Sequence, residues 1–235
     1  MFLELFAGTA NLTREVNICD IPVEQPQDIA SGDRSTLQSQ YDILDPRHFR
    51  YLLKLLRKGK VRWLHMAPPC GTLTQARRTD EYGSTPVLRT EADPSGVSRN
   101  TLVEQAEKDY PQLDAKGINA IVDGQVERIK EANEIVRRTT KLAKLQVRLG
   151  HWFSIENPER SHIWQLSNIK ALRKALGVKL LVGDQCTLGA PFQKGTGWLT
   201  NADWMDVVTG RCPGPPEHHH PALKGFVEGP QGKRV

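Results

Sequence analysis

Three short segments of this 235-residue chain place reactive side chains where a turn would present them. Ala67-Pro68-Pro69-Cys70-Gly71 sets a cysteine directly after two prolines. Their fixed φ stiffens the turn and holds the next side chain in place. A thiolate there acts as a nucleophile if a nearby helix end or base favours ionisation. In an apolar interior the same cysteine is inert packing. Ile155-Glu156-Asn157-Pro158 puts a carboxylate just before a turn. Partial burial raises such a pKa and lets the acid donate or share a proton, whereas solvation leaves it an ordinary anion. Leu5-Phe6-Ala7-Gly8-Thr9-Ala10 sets a glycine between an apolar stretch and a helix-like one. Glycine there lets a ligand approach the backbone beside a helix N-terminus, although it is also the common turn residue.

The elements around these segments follow from periodicity. Phe2–Phe6 reads as a strand, followed by a helix from Asn11 that carries Leu12 and Val16. Ile21–Glu24 reads as a second strand closed by Pro26, and Val61–Met66 as another. Phe49, Leu52, Leu53 and Leu56 give helical spacing over Arg47–Arg57, stopped by Gly59. A long amphipathic helix runs from Ile118 to Leu149, ended by Gly150. Trp152–Glu156, Lys179–Val182 and Trp198–Thr200 read as strands, with a short helix at Asn168–Leu176. Residues 71–117 are polar and broken by Gly83, Pro86, Pro94, Gly96 and Pro111, which predicts a long variable loop. Strands alternating with helices predict an α/β fold: an open, mostly parallel, twisted sheet with helices on both faces. Such sheets bind ligands at the carboxyl ends of their strands. Gly8, Cys70 and Glu156 all follow strands, so the fold would bring them to one rim.

Composition narrows the class. Charged residues make up 25% and hydrophobic ones 38%, a globular composition in which no apolar run reaches the ~20 residues of a membrane span. The N-terminus has no basic region, and Glu4 interrupts its apolar stretch, so no signal peptide and no membrane are expected. The net charge of +5 suits a polyanionic partner. Cys19, Cys70, Cys186 and Cys212 are widely spaced, which fits a reducing compartment better than a disulfide framework. Cys212 with His218 and His220, helped by Cys186, could seat zinc. No CxxC pair supports this, and no metal site is expected. The organisation expected is a catalytic domain over 1–209 and a Pro/Gly/His-rich tail over 210–235.

Taken in order, the motifs resemble the cytosine-C5 methyltransferases. Glu4-Leu5-Phe6-Ala7-Gly8-Thr9-Ala10 resembles the family's first motif, and Ala67-Pro68-Pro69-Cys70 its nucleophile turn. Glu156-Asn157-Pro158 resembles its Glu-Asn motif, and Leu188-Gly189-Ala190-Pro191-Phe192-Gln193-Lys194 its later Gln motif. The variants PPCGTLTQAR and IENPERSHIW look closest to compact phage and retrotransposon members. The sequence differs from the family at Ala10 (usually Gly), Gly71 (usually Gln) and Lys194 (near a usual Arg). The resemblance implies a Rossmann-like fold dependent on S-adenosylmethionine (SAM), giving S-adenosylhomocysteine as product. It implies cofactor contacts at Phe6, Ala7, Gly8, Thr9 and Pro68, with Glu24 on the ribose and Asp42-Ile43 on the adenine. Cys70 would be the nucleophile toward cytosine C6, and Glu156 would hold N3 and the exocyclic amine. Asn157, Gln193 and Lys194 would face the substrate. No separate target-recognition domain is expected after Asn201. Arg77, Arg78, Arg89 and Arg99 of the 71–117 segment would instead meet phosphates or guanine edges. The expected partner of this monomer is DNA with a flipped base. RNA cytosine is the alternative substrate, and a non-catalytic module that binds nucleic acid or SAM is the alternative function. An adenine-N6 methyltransferase is disfavoured, because Asn157-Pro158-Glu159 lacks the second proline and the aromatic.

Overall fold

The computed structural model describes residues 1–29, 41–75, 79–80, 83–84, 86–215 and 220. In chain order the elements are β1 (Phe2–Leu5), α1 (Asn11–Ile18), α2 (Pro46–Arg57), β2 (Trp63–Met66), β3 (Thr79–Asp80) and β4 (Gly83–Ser84). They continue with α3 (Arg99–Asp109), α4 (Ala115–Arg148), β5 (Trp152–Pro158), α5 (Ser167–Arg173), β6 (Lys179–Asp184) and β7 (Gly195–Thr200). Short 3₁₀ turns lie at His162–Gln165, Gln185–Leu188 and Asp203–Val208.

The main sheet has the order β1-β2-β5-β7-β6. β1, β2 and β5 are parallel, and β7 is antiparallel to both neighbours. β6 therefore runs with the first three strands, so the α/β sheet is mixed and mostly parallel. Outside β1, Val23 and Gln27 bridge Phe2 and Leu5 in parallel. The strand expected at 21–24 is thus an irregular edge segment that continues past Pro26. An edge tolerates proline because the missing N–H would have faced solvent.

Side-chain alternation sorts the sheet into two faces. Leu3, Leu5, Leu64, Met66, Phe153, Ile155 and Leu199 share one core with Phe49, Leu52 and Leu56 of α2. Val136, Leu142 and Leu145 of α4 and Ile169 and Leu172 of α5 complete it. The other face carries Glu4, His65, Ser154 and Glu156, the cross-strand partners Glu4–His65 and His65–Ser154 standing in register. α1 packs on this face over β1, and Trp204 of the 203–208 turn meets Trp63 and Trp152 edge-on. No helix among the described residues is long and apolar enough to cross a membrane.

At 34 residues α4 is about 50 Å long and outruns the sheet. Its first half builds a second, smaller core with α3, in which Leu88, Leu102, Ala106, Ile118, Val122 and Ile129 are buried. The 71–117 segment is therefore not a structureless loop. It contains α3, the β3–β4 pair and part of this core; its many polar residues hide the short helical period of Leu102 and Ala106. Arg89, expected to face nucleic acid, is only 3% exposed. Its guanidinium donates to the carbonyls of Thr72 (3.1 Å) and Pro94 (2.7 Å) and to Asn133 Oδ1 (2.8 Å). Burial lowers its pKa to about 10, so it stays charged at neutral pH. This arginine is an internal tie between the cysteine turn and α4. Arg99 is exposed but paired with Asp123 (2.8 Å).

Arg89→Ala strands several buried carbonyl oxygens and should cost about 3 kcal/mol. Arg99→Ala breaks only an exposed pair and should stay within ~0.5 kcal/mol. Urea unfolding midpoints of the two variants check this contrast.

Candidate functional site

The chain leaves β1 outward to form the 23–27 edge, then crosses back to lay β2 on β1's other side. Such a reversal opens a crevice at the carboxyl ends of the two strands, where open α/β sheets bind ligands. Phe6–Ala10 follows β1 at this point and Ala67–Cys70 follows β2.

The first turn is unusual in its backbone. Phe6 (φ 60°), Gly8 (φ 53°) and Ala10 (φ 55°) are all left-handed. Left-handed non-glycine residues are uncommon and persist where the surroundings hold them. Gly8 is exposed, and a Cβ built on it would meet nothing within 4 Å, so its outer side is open. Thr9 is exposed, Ala7 is buried and Phe6 is partly packed against the main core. Ala10 caps α1 without a side-chain acceptor. Glu4 supplies it from β1, accepting from the Thr13 N–H (2.9 Å) and hydroxyl (2.5 Å).

The carboxylate beside this turn is Asp28, not Glu24. Asp28 Oδ2 accepts the Gly8 N–H at 2.9 Å. The Glu24 N–H instead bonds the Phe2 carbonyl at the opposite end of β1, about 13 Å back along the strand. Because the edge continues past Pro26, it is Asp28 that comes level with the Gly8 turn. Asp42 turns onto its own backbone, accepting the Leu44 N–H at 2.7 Å. Ile43 buries its side chain in the main core, and its carbonyl accepts from Arg138 at 2.7 Å.

Cys70 is partly exposed, and its carbonyl accepts the N–H groups of Leu73 and Thr74, both at 2.8 Å. This closes a tight turn after the exposed Pro69. The turn is tied to β5. Asn157 Nδ2 donates to the buried Pro68 carbonyl at 2.8 Å, and Leu73 O accepts the His162 N–H at 2.8 Å. Asn157 is only 3% exposed, and through this bond it positions the cysteine turn.

Glu156 sits one residue earlier on β5 and is surrounded by polar groups. Gln185 Nε2 donates to its Oε1 at 3.2 Å, and Lys194 Nζ stands 3.8 Å from the same oxygen. His65 Nε2 lies 3.8 Å from Oε2. Burial raises the Glu156 pKa above the usual carboxylate range, Lys194 opposes the rise and the charge of Glu4 adds to it. His65 is fully buried, which drops its pKa to about 4 and keeps it neutral at pH 7. The Ser154 hydroxyl accepts from Trp63 Nε1 (3.1 Å) and lies 2.8 Å from His65 Nδ1. With Trp63 donating, the serine proton is available to Nδ1, which favours the imidazole proton on the nitrogen nearest Glu156.

A polar cavity of about 730 Å³ opens past the end of β5, where Glu156 itself is not part of the lining. Thr74 and Gln75 of the cysteine turn, Pro158–Arg160 after β5, and Gln193 line it with Asp184 and Arg211. The structure thus brings Gly8, Cys70, Glu156, Gln193 and Lys194 to the strand ends. It moves Arg89, Asn157 and the Ile43 side chain into internal roles. Arg77, Arg78 and His218 lie outside the described residues. Glu4, Asp28, His65 and Gln185 were not read as site residues from sequence. Only the alternation of Glu4 and His65 with apolar neighbours on β1 and β2 marks two of them.

His65 contributes a signed pH effect on stability. Its folded pKa is below the unfolded value, so the unfolded chain binds more protons between pH 6.5 and about 4. Stability should fall as pH drops through that window, by up to about 3 kcal/mol, and no further below it. Glu156, with its raised pKa, works in the opposite sense. Urea titrations at pH 7.0, 5.5 and 4.5 of the native chain and His65→Phe check it: the difference between them should shrink on acidification.

No protein-family model matches this chain, and no curated protein resembles it closely enough to lend it a function.

Proposed function

We propose that the protein is a SAM-dependent cytosine-C5 methyltransferase with a Rossmann-like fold, acting on DNA. The observation that carries this reading is the convergence of three chemistries at neighbouring strand ends. An open glycine turn follows β1, a turn-held thiol follows β2, and a half-buried carboxyl of raised pKa stands two residues before the end of β5. The motif order Gly8, Cys70, Glu156, Gln193 and the net charge of +5 agree with it.

The residues present fit the cofactor. Gly8 offers open space where any side chain would intrude, beside the left-handed turn and the N-terminus of α1. Phe6, Ala7, Gly8 and Thr9 would hold the amino-acid end of SAM, and Asp28 the ribose. SAM when bound supplies an electrophilic methyl group. Cys70 would add through its thiolate to cytosine C6, which makes C5 nucleophilic; once C5 has taken the methyl group, loss of its proton to a base would break the S–C6 bond and return the thiolate. Glu156, readily protonated because it is buried, would give a hydrogen bond to N3 and stabilise the charge that develops there. Gln185 and Lys194 would hold the other carboxyl oxygen and fix its orientation. The cytosine must leave its stack to reach a thiol set in a turn. Gln193, exposed at the cavity mouth, would meet the displaced strand.

Incubation of the protein with SAM and DNA or RNA, followed by bisulfite sequencing, tests the reading directly. C5 methylation of DNA is expected; methylation of RNA alone would move the substrate class, and none of either would reject the enzyme. Cys70→Ser should abolish turnover yet leave SAM affinity within about twofold, because the sulfur acts on the base. Glu156→Gln should lower the single-turnover rate about 100-fold or more. Asp28→Asn should weaken SAM binding about tenfold, measured calorimetrically, with Glu24→Gln leaving it unchanged.

A further inference from the structure

Cys186, Cys212 and His220 come from segments separated by up to 34 residues, yet their ligand atoms all lie within 4.8 Å of one another. Cys186 is buried in the 3₁₀ turn after β6, and neither cysteine is in a disulfide. Cys212 Sγ lies 3.3 Å from His220 Nε2. The other imidazole nitrogen, Nδ1, faces the Pro191 carbonyl at 3.3 Å. A carbonyl on Nδ1 fixes the proton there and leaves the Nε2 lone pair aimed at the two sulfurs. This is the outer-shell arrangement that metal-bound histidines adopt.

The cluster is also built, not merely gathered. The Cys212 N–H donates to Asp184 Oδ2 at 2.8 Å, and the Gly214 N–H to Cys212 Sγ at 3.4 Å. The Asp184 N–H bonds the Gly210 carbonyl at 2.8 Å, and the Gly189 N–H closes on Cys186 O at 3.1 Å. A Cβ on Gly183 would lie 1.9 Å from the Val208 carbonyl oxygen, so the returning chain needs glycine there to approach β6.

We propose that Cys186, Cys212 and His220 bind a zinc ion, with water as fourth ligand, that clamps the C-terminal segment onto the end of β6. Two thiolates and one neutral imidazole are a soft, charge-balancing donor set for Zn²⁺. Binding releases the two thiol protons to solvent, and no redox change is involved. The sequence suggested no metal because the cysteines lack paired spacing; the fold supplies the pairing by bringing 212 back against 186. This site does not depend on the methyltransferase reading, and its test needs no catalysis.

The reduced, metal-free, full-length protein is titrated with Co²⁺ and followed by absorption. One Co²⁺ per chain should give thiolate-to-cobalt charge transfer and intense tetrahedral d–d bands, both removed by one equivalent of Zn²⁺. Cys186→Ser and Cys212→Ser should each weaken Zn²⁺ binding at least about 100-fold, while Cys19→Ser leaves it unchanged. His220→Gln, whose ring is only partly buried, gives the same test if a serine variant misfolds: it should bind more weakly and keep reduced charge transfer. Cobalt bound without the sulfur band, or a band unaltered in both serine variants, would overturn the site.

Discussion

The hydrogen bonds from Thr13 to Glu4 set the geometry of the whole β1 end. A carboxylate buried in a strand needs donors, and an α-helix begins with N–H groups that need acceptors. Ala10 offers α1 no side-chain cap, so the two needs are met by each other. That pairing fixes how far the chain can travel between Leu5 and Asn11. Five residues must reverse direction and deliver the Thr13 N–H to Glu4. Three of them adopt left-handed backbone to do so, two without being glycine. The open turn at Gly8 follows from where the helix must start.

The same face explains the state of Glu156. Glu4, His65 and Ser154 form a row across β1, β2 and β5, and Glu156 extends it toward the rim. A charged imidazole in that row would satisfy both carboxylates, but desolvation outweighs the attraction and His65 stays neutral. Glu156 therefore faces one partial positive ring edge, one amide and one lysine at 3.8 Å, with Glu4 repelling its charged form. The balance leaves a carboxyl that takes up a proton more easily than a solvated one. A charged His65 would have cancelled that property.

Much of this was legible in the sequence where local rules decide. α2, α4, β5 and the strand ending at Met66 follow from apolar periodicity, and Pro-Pro-Cys does mark a turn at a strand end. The failures share a cause. Pro26 reads as a strand terminator and points to Glu24, but an edge position relaxes that rule and the edge runs on to Asp28. Arg89 looked like a phosphate ligand because arginine in a polar segment is normally solvated. Its burial depends on carbonyls at 72 and 94 and on Asn133, which no local pattern joins. α3 was missed for the same reason: its apolar face is completed only by the first half of α4. Tertiary partners overrode local propensity in each case.

Residues 210–212 are tied closely to the sheet. Gly210 bonds the end of β6, Cys212 bonds Asp184, and Arg211 makes a two-pronged pair with Glu159 at 2.8 and 3.0 Å. Arg211 holds the Glu159 carboxyl below its usual range. Glu159 follows β5 directly, so residues 210–212 are laced to the strand that carries Glu156. The polar cavity between them has walls from residues 74–75, 158–160, 193–195 and 211. Two ties run between these walls: the Glu159 N–H donates to the Gly195 carbonyl at 2.9 Å, and the Arg211 guanidinium donates to the Glu159 carboxylate. Glu159 is thus the residue through which β5, β7 and the segment at 211 are joined, and a backbone bond together with a two-pronged charged pair holds that junction more firmly than either would alone.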